Sequence, residues 1–212
     1  MLPEKTDLAA DFMLVLAVAM ALQFMTAFIP PTWPFRIYLT HLGLLVLTFI
    51  LIYSGRLSWK IYRLPEMKNI PSILALSAVT VLAAQAAAYA TFYIGSPPAE
   101  YLELLRALVP ISPTSLMLST IMTWLLVAPA EESIFRGVIF GMMKRMAGYR
   151  HALVFSAIIF SLAHLDVWRL PSTLIVGLTT ATAYHRTGTI TSSIIIHALN
   201  NTVSLTLSYI MF

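Results

Sequence analysis

The stretch LLVAPAEESIFRGVIFG, residues Leu125–Gly141, sets two adjacent carboxylates, Glu131 and Glu132, and a guanidinium, Arg136, inside an otherwise apolar run. Apolar runs of this length normally sit in lipid. An ionisable side chain there is expensive, so it usually faces the inside of a helix bundle and marks a working site. The surrounding chain fits that setting. Of its 212 residues, 59% are hydrophobic and 10% are charged, against about 25% charged in an ordinary soluble domain. The mean hydropathy is +0.84. The expected fold class is all-α: a polytopic membrane helix bundle, one integral membrane domain over residues 1–212, with a polar site inside it.

The chain contains no cysteine. Disulfides, thiolate catalysis and cysteine zinc sites are therefore excluded. The net charge of +4 is read as loop lysines and arginines that set orientation in a bilayer, not as a nucleic-acid footprint. The N-terminal segment resembles a signal peptide only superficially. Glu4 and Asp7 offset Lys5, and the apolar part is too long for a usual signal core, so it reads as a first spanning helix.

About 20 mostly apolar residues are needed to span a bilayer. Seven stretches qualify, with eight as the alternative count. The first runs from Ala9 to Ile29 and stops at Pro30-Pro31, and the second from Ile37 to Tyr53. The third covers Ser72 to Ile94 and is followed by an amphipathic interfacial segment over 99–109. The fourth extends from Pro113 to Met146, long enough to require a kink at Pro129, strong tilt or extension into the cytoplasm. The fifth spans Ala152 to Leu165, the sixth Pro171 to His185 and the seventh Ile190 to Met211. With the N-terminus inside, the cytoplasmic segments hold Lys5, Arg56, Lys60, Arg63, Lys68, Lys144, Arg145, Arg150 and Arg186, against Arg36, Arg106 and Arg169 on the other side. This asymmetry predicts a cytoplasmic N-terminus and an external C-terminus.

Three polar constellations interrupt the helices. Glu132 and Arg136 are four apart and can pair on one helix face, while Glu131 lies roughly 100° away. His164 follows Phe160 by one turn late in the fifth helix. His197 and Asn201 share a face of the seventh, with Asn200 on a neighbouring face. Taken singly, each has a plainer reading: headgroup snorkelling for the charges, packing for His164, interhelical bonding for His197 and Asn201. At 1.5 Å per residue, however, all of them fall at a common depth of roughly 10–25 Å, which points to one shared cavity.

A carboxylate and an imidazole can hold and deprotonate a water. A second imidazole and a carboxamide can donate hydrogen bonds to a developing oxyanion. The set suits hydrolysis of an amide. Equally, Glu131, His164 and His197 are plausible zinc ligands, and the residues alone leave both open. No His-Glu-x-x-His, Gly-x-Ser-x-Gly or Gly-Asp signature occurs.

At these residues the chain resembles the CAAX prenyl endopeptidase and bacteriocin-processing family, also called abortive-infection proteins. The resemblance is carried by Glu131-Glu132-x-x-x-Arg136, Phe160-x-x-x-His164 and His197-x-x-x-Asn201, and it covers a catalytic core over 114–208. It implies an intramembrane endopeptidase of glutamic rather than metallo type, with no cofactor favoured. Glu131 and His164 would activate water, and His197 with Asn201 would form an oxyanion hole. Glu132, Arg136 and Phe160 would support them. The implied partners are the lipid bilayer and a peptide or protein substrate with a membrane-associated C-terminus, lipidated in some members. Family roles differ: some members process prenylated proteins or peptides, others confer bacteriocin immunity or cleave C-terminal sorting tails. Alternatives of another class are a proton-coupled transporter and a non-catalytic membrane scaffold.

Overall fold

A computed structural model describes residues 5–25, 28–29 and 36–211. Among these the regular secondary structure is all helical, with no strand. The helices are α1 (Lys5–Met25), α2 (Arg36–Tyr53), α3 (Ile70–Gly95), α4 (Ala99–Arg106), α5 (Pro113–Ala147), α6 (Tyr149–Ala163), α7 (Leu170–Thr187) and α8 (Ile190–Met211). The expected stop at Pro30-Pro31 lies outside the described residues, as do the side chains of Lys5 and Arg36.

Three helical stretches are long and apolar enough to cross a membrane by themselves: Met67–Gly95, Pro113–Ala147 and Ile190–Met211. The apolar parts of α1, α2 and α6 are shorter. The first helix is described as far as Met25, and the two residues that follow it lie outside the described ones. The fifth covers Tyr149–Ala163, so His164 caps it and Leu165 lies beyond it at φ 51°. The amphipathic segment expected over 99–109 is helical over Ala99–Arg106.

Local sequence sets the ends of α5. The Ser112 hydroxyl accepts from the Ser115 N–H, and the Ser115 hydroxyl accepts from the Ser112 N–H, a reciprocal cap with Pro113 in the first turn. At the other end Gly148, at φ 82°, turns the chain into α6. Between these ends α5 is one continuous helix that loosens to π geometry twice, over Thr123–Val127 and Ser133–Phe140. Pro129 has no N–H to give, and its ring crowds the preceding turn. The wider turn before it, closed by the Ala128 N–H on the Thr123 carbonyl, makes room. The two π segments bracket Glu131 and Glu132, a placement common at functional sites.

α5 runs through the middle of the bundle. Ile134, Phe135, Ile139 and Phe140 are buried on it beside Glu132 and Arg136, while Phe49, Leu82 and Leu125 face outward. Charge inside and large apolar groups outside is the arrangement a lipid solvent selects. Around α5, α7 packs on α3, α6 and α8, and α2 packs on α5. Where α6 crosses α7, Gly177 lets the backbones touch: a Cβ there would lie 3.0 Å from Ala157 Cα and 3.1 Å from its carbonyl oxygen.

On one side the loop between α2 and α3 is tied to the start of α8. The Thr189 hydroxyl donates to the carbonyls of Ile61 and Arg63, and the Thr191 hydroxyl donates to that of Tyr62. On the other side α4 straps the α6–α7 connection. The Tyr101 hydroxyl donates to Asp166 at 2.7 Å, and Asp166 also accepts from the Trp168 N–H at 3.0 Å. Burial, with the Asp166 carboxylate beside it, pushes the Tyr101 phenol up, so it remains a donor. Asp166 and Trp168 thus anchor the connection that carries His164.

Gly177→Val should force α6 and α7 apart and destabilise the bundle by about 1–3 kcal/mol. A thermal melt in detergent micelles checks this; an unchanged melt would contradict the close crossing.

Candidate active site

The site is assembled from α2, α5, α6 and α8. Glu131, Glu132 and Arg136 come from consecutive turns of α5, and all are buried, Glu132 and Arg136 completely. The expected i,i+4 pair is present, with Arg136 Nε 2.9 Å from Glu132 Oε2. That Nε–H aims at the Thr180 hydroxyl, also 2.9 Å away, so the carboxylate contact is Coulombic rather than an aligned hydrogen bond. Nη2 donates to the Thr180 hydroxyl and to the Gly177 carbonyl. The guanidinium carbon stands 4.3 Å from the centre of the Phe160 ring, a cation–π contact in a dry site.

Glu132 has a second partner. Its Oε1 lies 2.8 Å from His197 Nδ1. An ionised carboxylate can only accept, so Nδ1 carries the proton, and Nε2 is the atom left for chemistry. That Nε2 stands 3.8 Å from Glu131 Oε2. Glu131 Oε1 is held separately, 2.8 Å from His41 Nε2, which by the same argument is the donor. Oε2 of Glu131 is buried and has no hydrogen-bond partner among the described residues.

His164 caps α6. Its Nδ1–H donates to the Phe160 carbonyl at 2.9 Å, which leaves Nε2 with a lone pair in the neutral ring. It lies within electrostatic reach of Glu131 and His197. Phe160 separates the two imidazoles, edge-on to both, with ring centres 4.9 Å from His164 and 5.6 Å from His197. Asn201 is linked to the site through α8. Its Oδ1 accepts from Asn200 Nδ2 at 3.3 Å, and among the described residues no bond runs from it to either glutamate.

The structure therefore gathers Glu131, Glu132, Arg136, Phe160, His164 and His197 around one point and leaves Asn201 one turn away. It adds two residues that the sequence reading passed over. His41, in RIYLTHLGLL, is a histidine in an apolar helix, the same signal that singled out His164. Gln85, in VLAAQAAAYA, donates to Asn200 Oδ1 at 3.2 Å and to the Ser204 hydroxyl at 2.7 Å. The resulting amide chain, Gln85 to Asn200 to Asn201, occupies Oδ1 of Asn201 and leaves its NH2 group for a ligand.

A zinc site needs three or four donors about 2.0–2.3 Å from one point. Among the described residues no three His, Asp or Glu side chains converge in that way. Glu131 Oε1 is taken by His41 and His197 Nδ1 by Glu132, while the other oxygen and the other ring nitrogen stay open.

Breaking the Glu132–Arg136 pair should be far more damaging than a surface ion pair would be. Arg136→Ala leaves a buried carboxylate without its countercharge and should cost about 3–5 kcal/mol. Loss of the folded species in size-exclusion chromatography, or a large drop in melting temperature, would show it. A wild-type melt would contradict the account.

The family model described as type II CAAX prenyl endopeptidase Rce1-like matches residues 113–203, which run from the start of α5 into α8 and include Glu131, His164, His197 and Asn201. No curated protein and no solved structure matches the chain. The segment that builds most of the site, residues 113–203, is thus the part of the chain that resembles the type II CAAX prenyl endopeptidases of the Rce1-like family.

Proposed function

We propose that this protein is an intramembrane endopeptidase in which Glu131 activates a water. The observation that carries the reading is Glu131 Oε2: a buried acceptor without a hydrogen-bond partner among the described residues, 3.8 Å from His197 Nε2. That spacing is too long for a direct hydrogen bond and suits a bridging water. A family match that implies a protease supports the same conclusion.

The chemistry follows from the hydrogen bonds. A water beside Oε2 gives its proton to Glu131, with His164 Nε2 as the second acceptor that orients it. Its oxygen adds to the carbonyl carbon of the scissile bond. The electron pair released from the C=O goes to the oxyanion, which is stabilised by the Asn201 NH2 and by the His197 ring. Glu132, holding His197 Nδ1, keeps that ring turned to the site, as a buried carboxylate does in hydrolytic triads. When the tetrahedral intermediate collapses, the proton on Glu131 passes to the leaving nitrogen as the C–N bond breaks. Water is consumed, and a carboxylate and an amine are formed. The substrate in this reading is a peptide or protein with a membrane-associated C-terminus, and a lipidated tail is the chemistry that would hold it at the bilayer.

The test uses purified protein in micelles and a quenched fluorescent peptide bearing an S-farnesylated cysteine near its C-terminus. Glu131→Gln and His164→Ala should each lower turnover by about 100-fold or more while the protein melts normally. Full activity in both would contradict the reading. Turnover that persists in chelator supports the glutamic mechanism; loss in chelator with recovery on zinc would support the zinc form instead.

We also propose the orientation read from the basic loops, with the N-terminus cytoplasmic and seven crossings. A chain without cysteine makes this simple to check. In intact cells a membrane-impermeant thiol reagent should label Glu100→Cys, and it should label Lys60→Cys only after permeabilisation. The reverse pattern would invert the topology.

A further inference from the structure

The matched segment begins at residue 113, yet one of the shortest polar contacts in the site comes from outside it. His41 on α2 is 5% exposed, and its Nε2 lies 2.8 Å from Glu131 Oε1. We propose that His41 is a positioning residue for the reaction, one that divides the labour between the two oxygens of Glu131. The inference rests on the peptidase reading above.

Glu131 is nearly fully buried on a helix whose neighbouring turns are π, so its backbone alone does not fix which oxygen faces the site. A carboxylate free to rotate offers either oxygen at varying angles. The Nε2–H of His41 holds Oε1 and thereby stops that rotation. What remains is Oε2, unpartnered and turned toward His197 Nε2. Charged and titratable groups reach Glu131 from every side of the site: His41 from α2, Glu132 and Arg136 from its own helix, His164 from α6 and His197 from α8. Of these, His41 is the one whose hydrogen bond to Glu131 is closed in the structure. His41 touches neither the attacking water nor the scissile bond in this scheme. It acts through Glu131 by holding it in a productive geometry, where a misplacement of about 1 Å can cost on the order of 100-fold in rate.

The inference also assigns a task to the part of the chain that the family model leaves uncovered. α2 packs directly on α5 and delivers His41 between them. The N-terminal helices then complete the site and are more than a lipid-facing wall.

The test compares His41→Leu, which fills the space without a donor, with His41→Gln, whose Nε2 amide can reach Oε1. Both are assayed as full-length protein on the farnesylated quenched peptide. His41→Leu should lower kcat on the order of 100-fold with KM little changed, and His41→Gln should recover most of it. Wild-type turnover in His41→Leu, where Glu131→Gln is dead, would overturn the proposal. So would a His41→Gln variant as slow as His41→Leu when both melt normally. If the wild-type protein leaves the peptide intact, the peptidase reading is at fault, and melting temperatures then decide for His41. His41→Leu, Glu131→Ala and the double variant should give strongly non-additive shifts, and additive shifts would refute the bond.

Discussion

The structure depends on one buried charge arrangement: Arg136 against Glu132, with Glu132 also holding His197. Two fully buried charges lose several kcal/mol of hydration each, and their mutual attraction together with further polar contacts must offset that loss. Here the guanidinium is met by Glu132, by the Thr180 hydroxyl, by the Gly177 carbonyl and by the face of Phe160. Those partners sit on three different helices. The pair therefore dictates how α5, α6 and α7 must meet, and through Glu132 it fixes the side of α8 that faces inward. A helix bundle in lipid has little hydrophobic drive to choose one packing over another. A buried ion pair with partners on three helices supplies that choice.

From this constraint the site follows. With Glu132 spent on Arg136 and His197, Glu131 is the carboxylate that can do chemistry. Oε1 is steadied by His41, and Oε2 opens toward His197. His164 arrives at the end of α6 with Nδ1 fixed to the Phe160 carbonyl and Nε2 available. The α6–α7 connection that carries it is held by Asp166 on Tyr101. Each imidazole has one nitrogen fixed by an acceptor, so its tautomer is set by the fold.

Much of this was legible in the sequence because intramembrane charge is so restricted. Glu132 and Arg136 four apart, and single histidines in apolar runs, need partners inside a bundle, and periodicity names the faces. What the sequence could not show was geometry across helices. His41 carries the same signal as His164, but nothing local says that α2 lies against Glu131. Gln85 looks like one polar residue among alanines until Asn200 meets it from α8. The loosening of α5 on both sides of the glutamates is likewise a tertiary compromise around Pro129, where the sequence pointed to a kink, tilt or extension. His164 moved from the helix body to its cap because α6 ends two residues earlier than its apolar run.

The central claim is that a water held by Glu131 is the nucleophile. The most direct measurement is cleavage of the lipidated peptide in water carrying heavy oxygen, using metal-free protein and mass analysis of the new C-terminus. The account predicts a heavy oxygen in the new carboxylate after a single turnover by the wild-type protein, and no labelled product from Glu131→Gln. Labelled product formed at the same rate by Glu131→Gln would contradict it.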